Sequence, residues 1–213
     1  MSSPRRIAVL ISGNGSNLQA LIDASNTSAL PNVQIVKVIS DRKDAFGLQR
    51  AAKAGIPTQV HNIVPYKHLP DTPSDPLNSE RRKAYDVDLS KHILSAEPDI
   101  VVCAGFMRIV TPSLLRPLQE GKVAIINVHP SLHGDLIGAH CIERAWEEFQ
   151  AGKRKSTGIM IHHVIAEVDL GEPIVQEEVS MEGCQNLESL QERMHVVEHR
   201  LIAEGTLRVL GSR

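Results

Sequence analysis

The chain is poor in aromatic residues, in charge of one sign and in paired cysteines. Phenylalanine, tyrosine and tryptophan together supply 3% of its 213 residues, too few for a surface that stacks nucleic-acid bases. The formal net charge of −2 gives no electrostatic footprint for nucleic acid or for an anionic membrane. Any negatively charged substrate must then be held by a local device. Cys103, Cys141 and Cys184 are odd in number and form no C-x-x-C pair. That pattern fits reduced thiols in the cytoplasm better than a disulfide framework or a zinc site. Long apolar runs are missing too. The opening MSSPRRIAVLIS holds only five consecutive apolar residues, Ile7 to Ile11, too short for a secretion signal or a membrane span.

The rest of the composition is ordinary, at 42% hydrophobic and 23% charged, as expected of a globular chain large enough to bury a sizeable core. Short apolar runs at 6–11, 33–39, 98–104 and 122–127 read as fully buried strands. Helical spacing lies between them: Leu18, Leu21 and Ile22 after Asn17, then Ala45, Leu48, Ala51 and Ala52 before Gly55, then a polar helix over 79–96. This alternation predicts an α/β fold with a doubly wound, mostly parallel sheet and ligands at the carboxyl ends of the strands. Four prolines make 62–78 a surface loop. Ala139, Ile142, Trp146 and Phe149 mark an amphipathic helix that Gly152 ends. The stretches 157–165 and 172–180 read as a β-hairpin, followed by a long helix with Leu187, Leu190, Met194, Val197 and Leu201 on one face.

Two stretches carry chemistry. In VLISGNGSNLQALI, Gly13 and Gly15 follow the first strand, and Ser16 and Asn17 stand where a helix begins, as good N-caps would. Glycines let the backbone approach a ligand, and helix N-terminal N–H groups suit an anion. A dinucleotide fingerprint needs a third glycine where Leu18 stands, although Asp41 could be read as its ribose-binding acid. A phosphate monoester fits the loop better. In AIINVHPSLHGDLIGAH, Asn127 and His129 are two apart on an extended segment, so both side chains leave one face with Cα atoms roughly 7 Å apart. An amide N–H beside an imidazole can hold a developing oxyanion. A metal site built from His129 with His133 or His140 lacks partners at familiar spacing, apart from Asp135 in the same loop. A capping or core-satisfying role for Asn127 or His129 is the plainer alternative.

Asp169, in EVDLGEPI, has the composition of a turn. The hairpin would nevertheless bring its carboxylate near the sheet's active end, where it could support a charged imidazole and take or relay a proton. No activated serine or cysteine is evident, which favours direct transfer of a group to an amine over a covalent intermediate. Glu198 breaks the apolar arc of Leu190, Met194, Val197 and Ile202 on the last helix. A carboxylate there needs a partner, either an arginine or substrate hydroxyls.

Four stretches, ISGNGSNLQALID, PDIVVCAGFMRIV, INVHPSL and EVDLGEPIV, in that order within roughly residues 6–208, together resemble the glycinamide ribonucleotide formyltransferases, folate-dependent enzymes of purine synthesis. The proline-containing insert and the IERAWEEF helix look more like the fungal, monofunctional form than the bacterial one. The resemblance implies a single Rossmann-like formyltransferase domain over 1–213, with a phosphate-binding half at 1–104 and a folate-binding and catalytic half at 105–213. It implies that Gly13, Asn14, Gly15, Ser16 and Asn17 hold the phosphate of glycinamide ribonucleotide and Glu198 its ribose hydroxyls. It places the co-substrate 10-formyltetrahydrofolate against Phe106, Met107, Arg108, Ile109 and Val110, with Arg82 near its glutamate tail. Ile165, Ala166, Glu167 and Val168, leading to Asp169, match the loop that closes over the pterin. Asn127, His129 and Asp169 become the catalytic set, with no metal, and the amine attacks the formyl carbon directly.

The resemblance also implies a cytoplasmic enzyme of small molecules, a monomer or weak homodimer, with no nucleic-acid or membrane partner. One departure stands out: after HPSL the family commonly has a proline, and here His133 and Gly134 stand instead. His140 and His162 match family histidines, and His162 reads as supporting or structural. Related readings are a formyltetrahydrofolate hydrolase, expected to carry a regulatory domain before the glycine loop, and a methionyl-tRNA formyltransferase, expected to carry a further C-terminal domain. A non-catalytic nucleotide-binding module would need neither Asn127, His129 nor Asp169.

Overall fold

The computed structural model describes residues 3–211. Its core is a seven-stranded sheet in the order β3-β2-β1-β4-β5-β6-β7. The strands are β1 (Arg5–Ile11), β2 (Val33–Ser40), β3 (Thr58–Val60), β4 (Ile100–Cys103), β5 (Ala124–His129), β6 (Ser156–His163) and β7 (Pro173–Ser180). β1 to β5 run parallel, while β6 and β7 add an antiparallel pair to the β5 edge. The helices are α1 (Ser16–Ala24), α2 (Phe46–Lys53), α3 (Glu80–Leu94), α4 (Pro112–Glu120), α5 (Cys141–Gln150) and α6 (Leu187–Gly211).

The two-residue period of a strand explains the layering. Ile7, Val9 and Ile11 of β1 pack on one face with residues of α1, α2, α5 and α6. Ala8 and Leu10 pack on the other with α3 and α4. Both faces of the parallel strands are covered, which is why they read as continuous apolar runs.

Four local features differ from the sequence expectations. β5 extends through His129 rather than ending at Asn127, so the asparagine-histidine pair belongs to the strand itself. Ser16 and Asn17 do not cap α1: the cap is Gly15 at φ 75°, with no side-chain cap bond, because the left-handed turn only glycine adopts freely already sets the helix start. α4 was not anticipated, since Pro112 and Pro117 break up its pattern; one opens the helix and the other lies inside it. The edge strand β3 is only three residues long, too short to show a period.

The strand order reverses direction at β1, which has β2 on one side and β4 on the other. Chains leaving β1 and β4 therefore part company at their carboxyl ends and open a crevice. Across it the Ser12 N–H donates to the Gly105 carbonyl at 3.0 Å. That crevice positions the site.

Candidate active site

The crevice holds a cavity of about 200 Å³ lined by Ser12, Gly13, Asn14, Gly15, Ser16, Asn17, Arg42, Ala104, Gly105 and Met107. All five glycine-loop residues singled out in the sequence are on its wall. The first N–H groups of α1 have no intrahelical partners and present a ready anion site. α2 supports the loop from behind: Gly47 N–H donates to the Gly13 carbonyl at 3.1 Å. Arg50 donates to the Asn14 carbonyl at 2.9 Å and to its Oδ1 at 3.0 Å. That grip leaves the amide N–H₂ of Asn14 as the free end.

Glu198 is buried on α6, and among the described residues no arginine pairs with it. Its Oε2 accepts from Asn17 Nδ2 at 3.1 Å, so the misplaced carboxylate of the helix meets the glycine loop. Burial pushes the Glu198 carboxyl up from the ordinary range, and the Asn17 hydrogen bond opposes this more weakly. Asn17 Oδ1 is buried with no hydrogen-bond partner among the described residues.

One strand over, Asn127 of β5 stands in register with Cys103 of β4. Asn127 Nδ2 lies 3.2 Å from His162 Nε2, and His162 Nδ1 lies 3.0 Å from the His163 carbonyl. A carbonyl only accepts, so Nδ1 carries the proton and Nε2 is the acceptor for the Asn127 amide. Burial lowers the His162 pKa from its ordinary value, which keeps the ring neutral and that acceptor intact. His129 is buried; its Nε2–H donates to the Leu136 carbonyl at 2.7 Å, and Nδ1 is 3.4 Å from Asp169 Oδ1. Asp169 Oδ1 also lies 3.7 Å from His162 Nε2, and its Oδ2 accepts from the Gly138 N–H at 2.9 Å. A non-glycine φ of 56° at Asp169 turns its carboxylate back over the sheet end. Asn127, His129 and Asp169 are thus brought together from residues forty apart, with His162 as a fourth member.

The stretch 106–110 is divided. Phe106 and Val110 are buried in the core against α3 and α4. Met107 projects from the anion cavity with its N–H on Ser12 Oγ at 2.8 Å. Arg108 pairs with Asp41 at 2.9 Å, which occupies the carboxylate that a dinucleotide reading would aim at a ribose. Arg82 pairs with Asp86 at 2.9 Å through Nε and donates to the Ile109 carbonyl through Nη2. Ile165 lines a second cavity of about 390 Å³ with Leu115, Leu118, Gln119, Ala124, Ile125 and Val164. Ala166, Glu167 and Val168 form the turn that follows it. His140 is exposed at the start of α5, and His133 is exposed with its N–H on Gln176. Among the described residues no group of three or more histidine, cysteine or acidic side chains could hold a metal ion.

Sequence reasoning passed over several groups here. Arg42, Leu115 and Leu118 carry no motif. The Leu136 carbonyl and Gly138 N–H are backbone groups, which residue identity does not display. His162, by contrast, already reads from the sequence as supporting or structural, and it has a partner on each ring nitrogen, as a buried histidine needs.

The model of the formyl transferase family matches residues 5–206. The chain belongs to this family. It is similar to the phosphoribosylglycinamide formyltransferase of Schizosaccharomyces pombe, at 44% identity over 96% of each chain. It is also similar to that of Saccharomyces cerevisiae, at 43% identity over 96% of this chain and 97% of the other. A solved structure of glycinamide ribonucleotide transformylase 1 from Symbiobacterium toebii superposes with a TM-score of 0.82 at 32% identity, covering 100% of this chain and 90% of the other. Within the formyl transferase family, then, the likeness runs over nearly the full length of the chain.

Proposed function

We infer that this chain transfers the formyl group of 10-formyltetrahydrofolate to the amine of glycinamide ribonucleotide, a step of purine biosynthesis. The near full-length likeness to phosphoribosylglycinamide formyltransferases is the observation that carries the inference. Folate hydrolysis has no comparable support.

The site suits the chemistry. The substrate phosphate takes the α1 N-terminus and the glycine loop, and its ribose hydroxyls take Glu198. The cavity beside Ile125 and Val164, two residues back along β5 from Asn127, sets aliphatic walls beside the polar groups of Gln119, Lys122 and His163, which suits a flat heterocycle. Within 106–110, Met107 and Ile109 are the exposed members available to the folate. Arg82 serves the folate through the loop it braces at Ile109.

The amine forms a bond to the formyl carbon, and the carbonyl oxygen takes up negative charge. The second N–H of the Asn127 amide, its first being on His162, donates to that oxyanion, and protonated His129, whose two N–H groups face the Leu136 carbonyl and Asp169, stabilises it through its positive charge. Asp169, facing Nδ1 of His129, supports the imidazolium and takes or relays the amine proton as the bond to the folate nitrogen breaks. Three free cysteines support a cytoplasmic location. The small net charge and few aromatics support small molecules rather than nucleic acid as partners.

Asp169→Asn tests the assignment. Turnover measured at saturating substrates should fall about 10²–10⁴-fold in a variant whose circular dichroism is unchanged. Wild-type turnover in that variant would remove Asp169 from its role.

A further inference from the structure

The segment that departs from the family pattern is tied to both ends of the catalytic pair. His129 and Asp169 reach it through backbone groups: the Leu136 carbonyl takes the imidazole Nε2–H at 2.7 Å, and two residues later the Gly138 N–H holds the carboxylate at 2.9 Å. The spacing of those two atoms along one short stretch of chain therefore sets how the ring and the carboxylate face one another. Cys141 Sγ closes the far end on the Gly138 carbonyl at 3.1 Å. Its thiol is pushed up to about 11 by burial, so it stays protonated and acts as a donor.

The near end is fixed from outside the site. Ser131, fully buried, accepts the Leu136 N–H on its Oγ at 3.0 Å and lies 3.4 Å from Asp135 Oδ2. Asp135 is held in a two-pronged pair by Arg154, Nη1 to Oδ2 at 2.6 Å and Nη2 to Oδ1 at 2.7 Å. Arg154 is itself only 14% exposed and is oriented by Glu148 Oε2 at 2.9 Å and by the Ser156 carbonyl at 3.2 Å. A bidentate arginine-carboxylate pair fixes geometry as well as charge. A path of contacts thus runs from the start of β6, through Arg154, Asp135 and Ser131, to the carbonyl that holds His129.

We propose that residues 131–141 form a strap that sets the mutual orientation of His129 and Asp169, and that Asp135, Arg154 and Ser131 are positioning residues for formyl transfer. None of the three touches the reacting atoms; they act through the Leu136 carbonyl. The hydrogen bond from Arg154 holds the Asp135 carboxyl below the usual carboxylate range, with burial opposing, as expected of a permanently charged anchor. The kinetic part of this proposal rests on the formyltransferase reading of the site.

Asp135→Asn, Arg154→Met and the double variant test it. Each single variant should lose about tenfold in kcat with KM for either substrate changed less than twofold. The double variant should be no slower than the worse single one, because residues on one path are not additive. Ser131→Ala, a one-atom truncation that keeps the backbone turn, should lose kcat in the same way. Lys91→Met, which removes only the exposed Lys91–Asp88 pair on α3, away from the strap, should retain wild-type kcat. Folded variants with wild-type kcat, or with raised KM and unchanged kcat, would overturn the strap while wild-type transfer still upheld the reaction. Amide exchange read by NMR without substrate separates the two further. The Leu136 and Gly138 amides should be protected in the wild type and exchange at least tenfold faster in Asp135→Asn. Equal rates in the two proteins would overturn the strap whatever the enzyme's activity.

Discussion

Glu198 is the residue whose proposed use carries the clearest cost to the fold. It is buried on an apolar helix face with one neutral partner, the Asn17 amide. Because burial raises its pKa above the ordinary 4.5, the folded state holds the proton more tightly than the unfolded one. Stability therefore falls as pH rises through that window, and the full cost is present above it. Glu198→Gln keeps the acceptor for Asn17 and removes the charge. Its melting temperature should match wild type near pH 4 and exceed it at pH 8, by roughly 2–4 °C per kcal/mol released. KM for glycinamide ribonucleotide should rise about tenfold, as expected for loss of charged hydrogen bonds. A pH-independent difference in melting temperature together with an unchanged KM would refute this role. At this scale the sequence was informative where residues break a local rule. Asn127 and His129 end an apolar strand and Glu198 interrupts an apolar arc, so both were visible. The partners of Arg82 were not legible, because nothing in RRKAYD reveals that its guanidinium pairs with Asp86, four residues on, and donates to a backbone carbonyl.

At the scale of elements, the meeting of α1 and α2 decides whether an anion site exists. Gly15 adopts φ 75°, and a Cβ there would lie 2.6 Å from the Cα of Gly47. Both partners are backbone and cannot move aside cheaply. Gly15→Ala should cost about 1–3 kcal/mol of stability and raise KM for glycinamide ribonucleotide by about 10–100-fold. The KM for the folate, whose proposed cavity lies elsewhere, should stay within twofold. Calorimetry and initial rates measure both, and an unchanged KM for glycinamide ribonucleotide would mean that the loop does not hold the phosphate. The strand-loop-helix unit from β1 to α1 was legible because its apolar run, glycines and helical spacing agree. α4 was not, since Pro112 and Pro117 read as punctuation, and with it went the Leu115 and Leu118 wall of the larger cavity. The strap from 131 to 141 was invisible for a different reason: its contacts to His129 and Asp169 are made by main-chain atoms.

At the scale of the molecule, one sheet gathers the parts. Its switch point at β1 and β4 opens the anion cavity, and β5, next in order, carries Asn127 and His129. The antiparallel pair β6 and β7 then returns the chain so that Asp169 closes the site. The alternation of strands and helices made this architecture legible, with the hairpin and long final helix where the apolar patterns placed them. Two cavities flanking a set of proton-handling side chains suit an enzyme that passes a group from one small molecule to another. The most direct measurement follows the absorbance change of 10-formyltetrahydrofolate with glycinamide ribonucleotide present and absent. Transfer should proceed one-for-one with the amine acceptor and stop without it. Folate turnover in the absence of the acceptor, or none in its presence, would contradict the account.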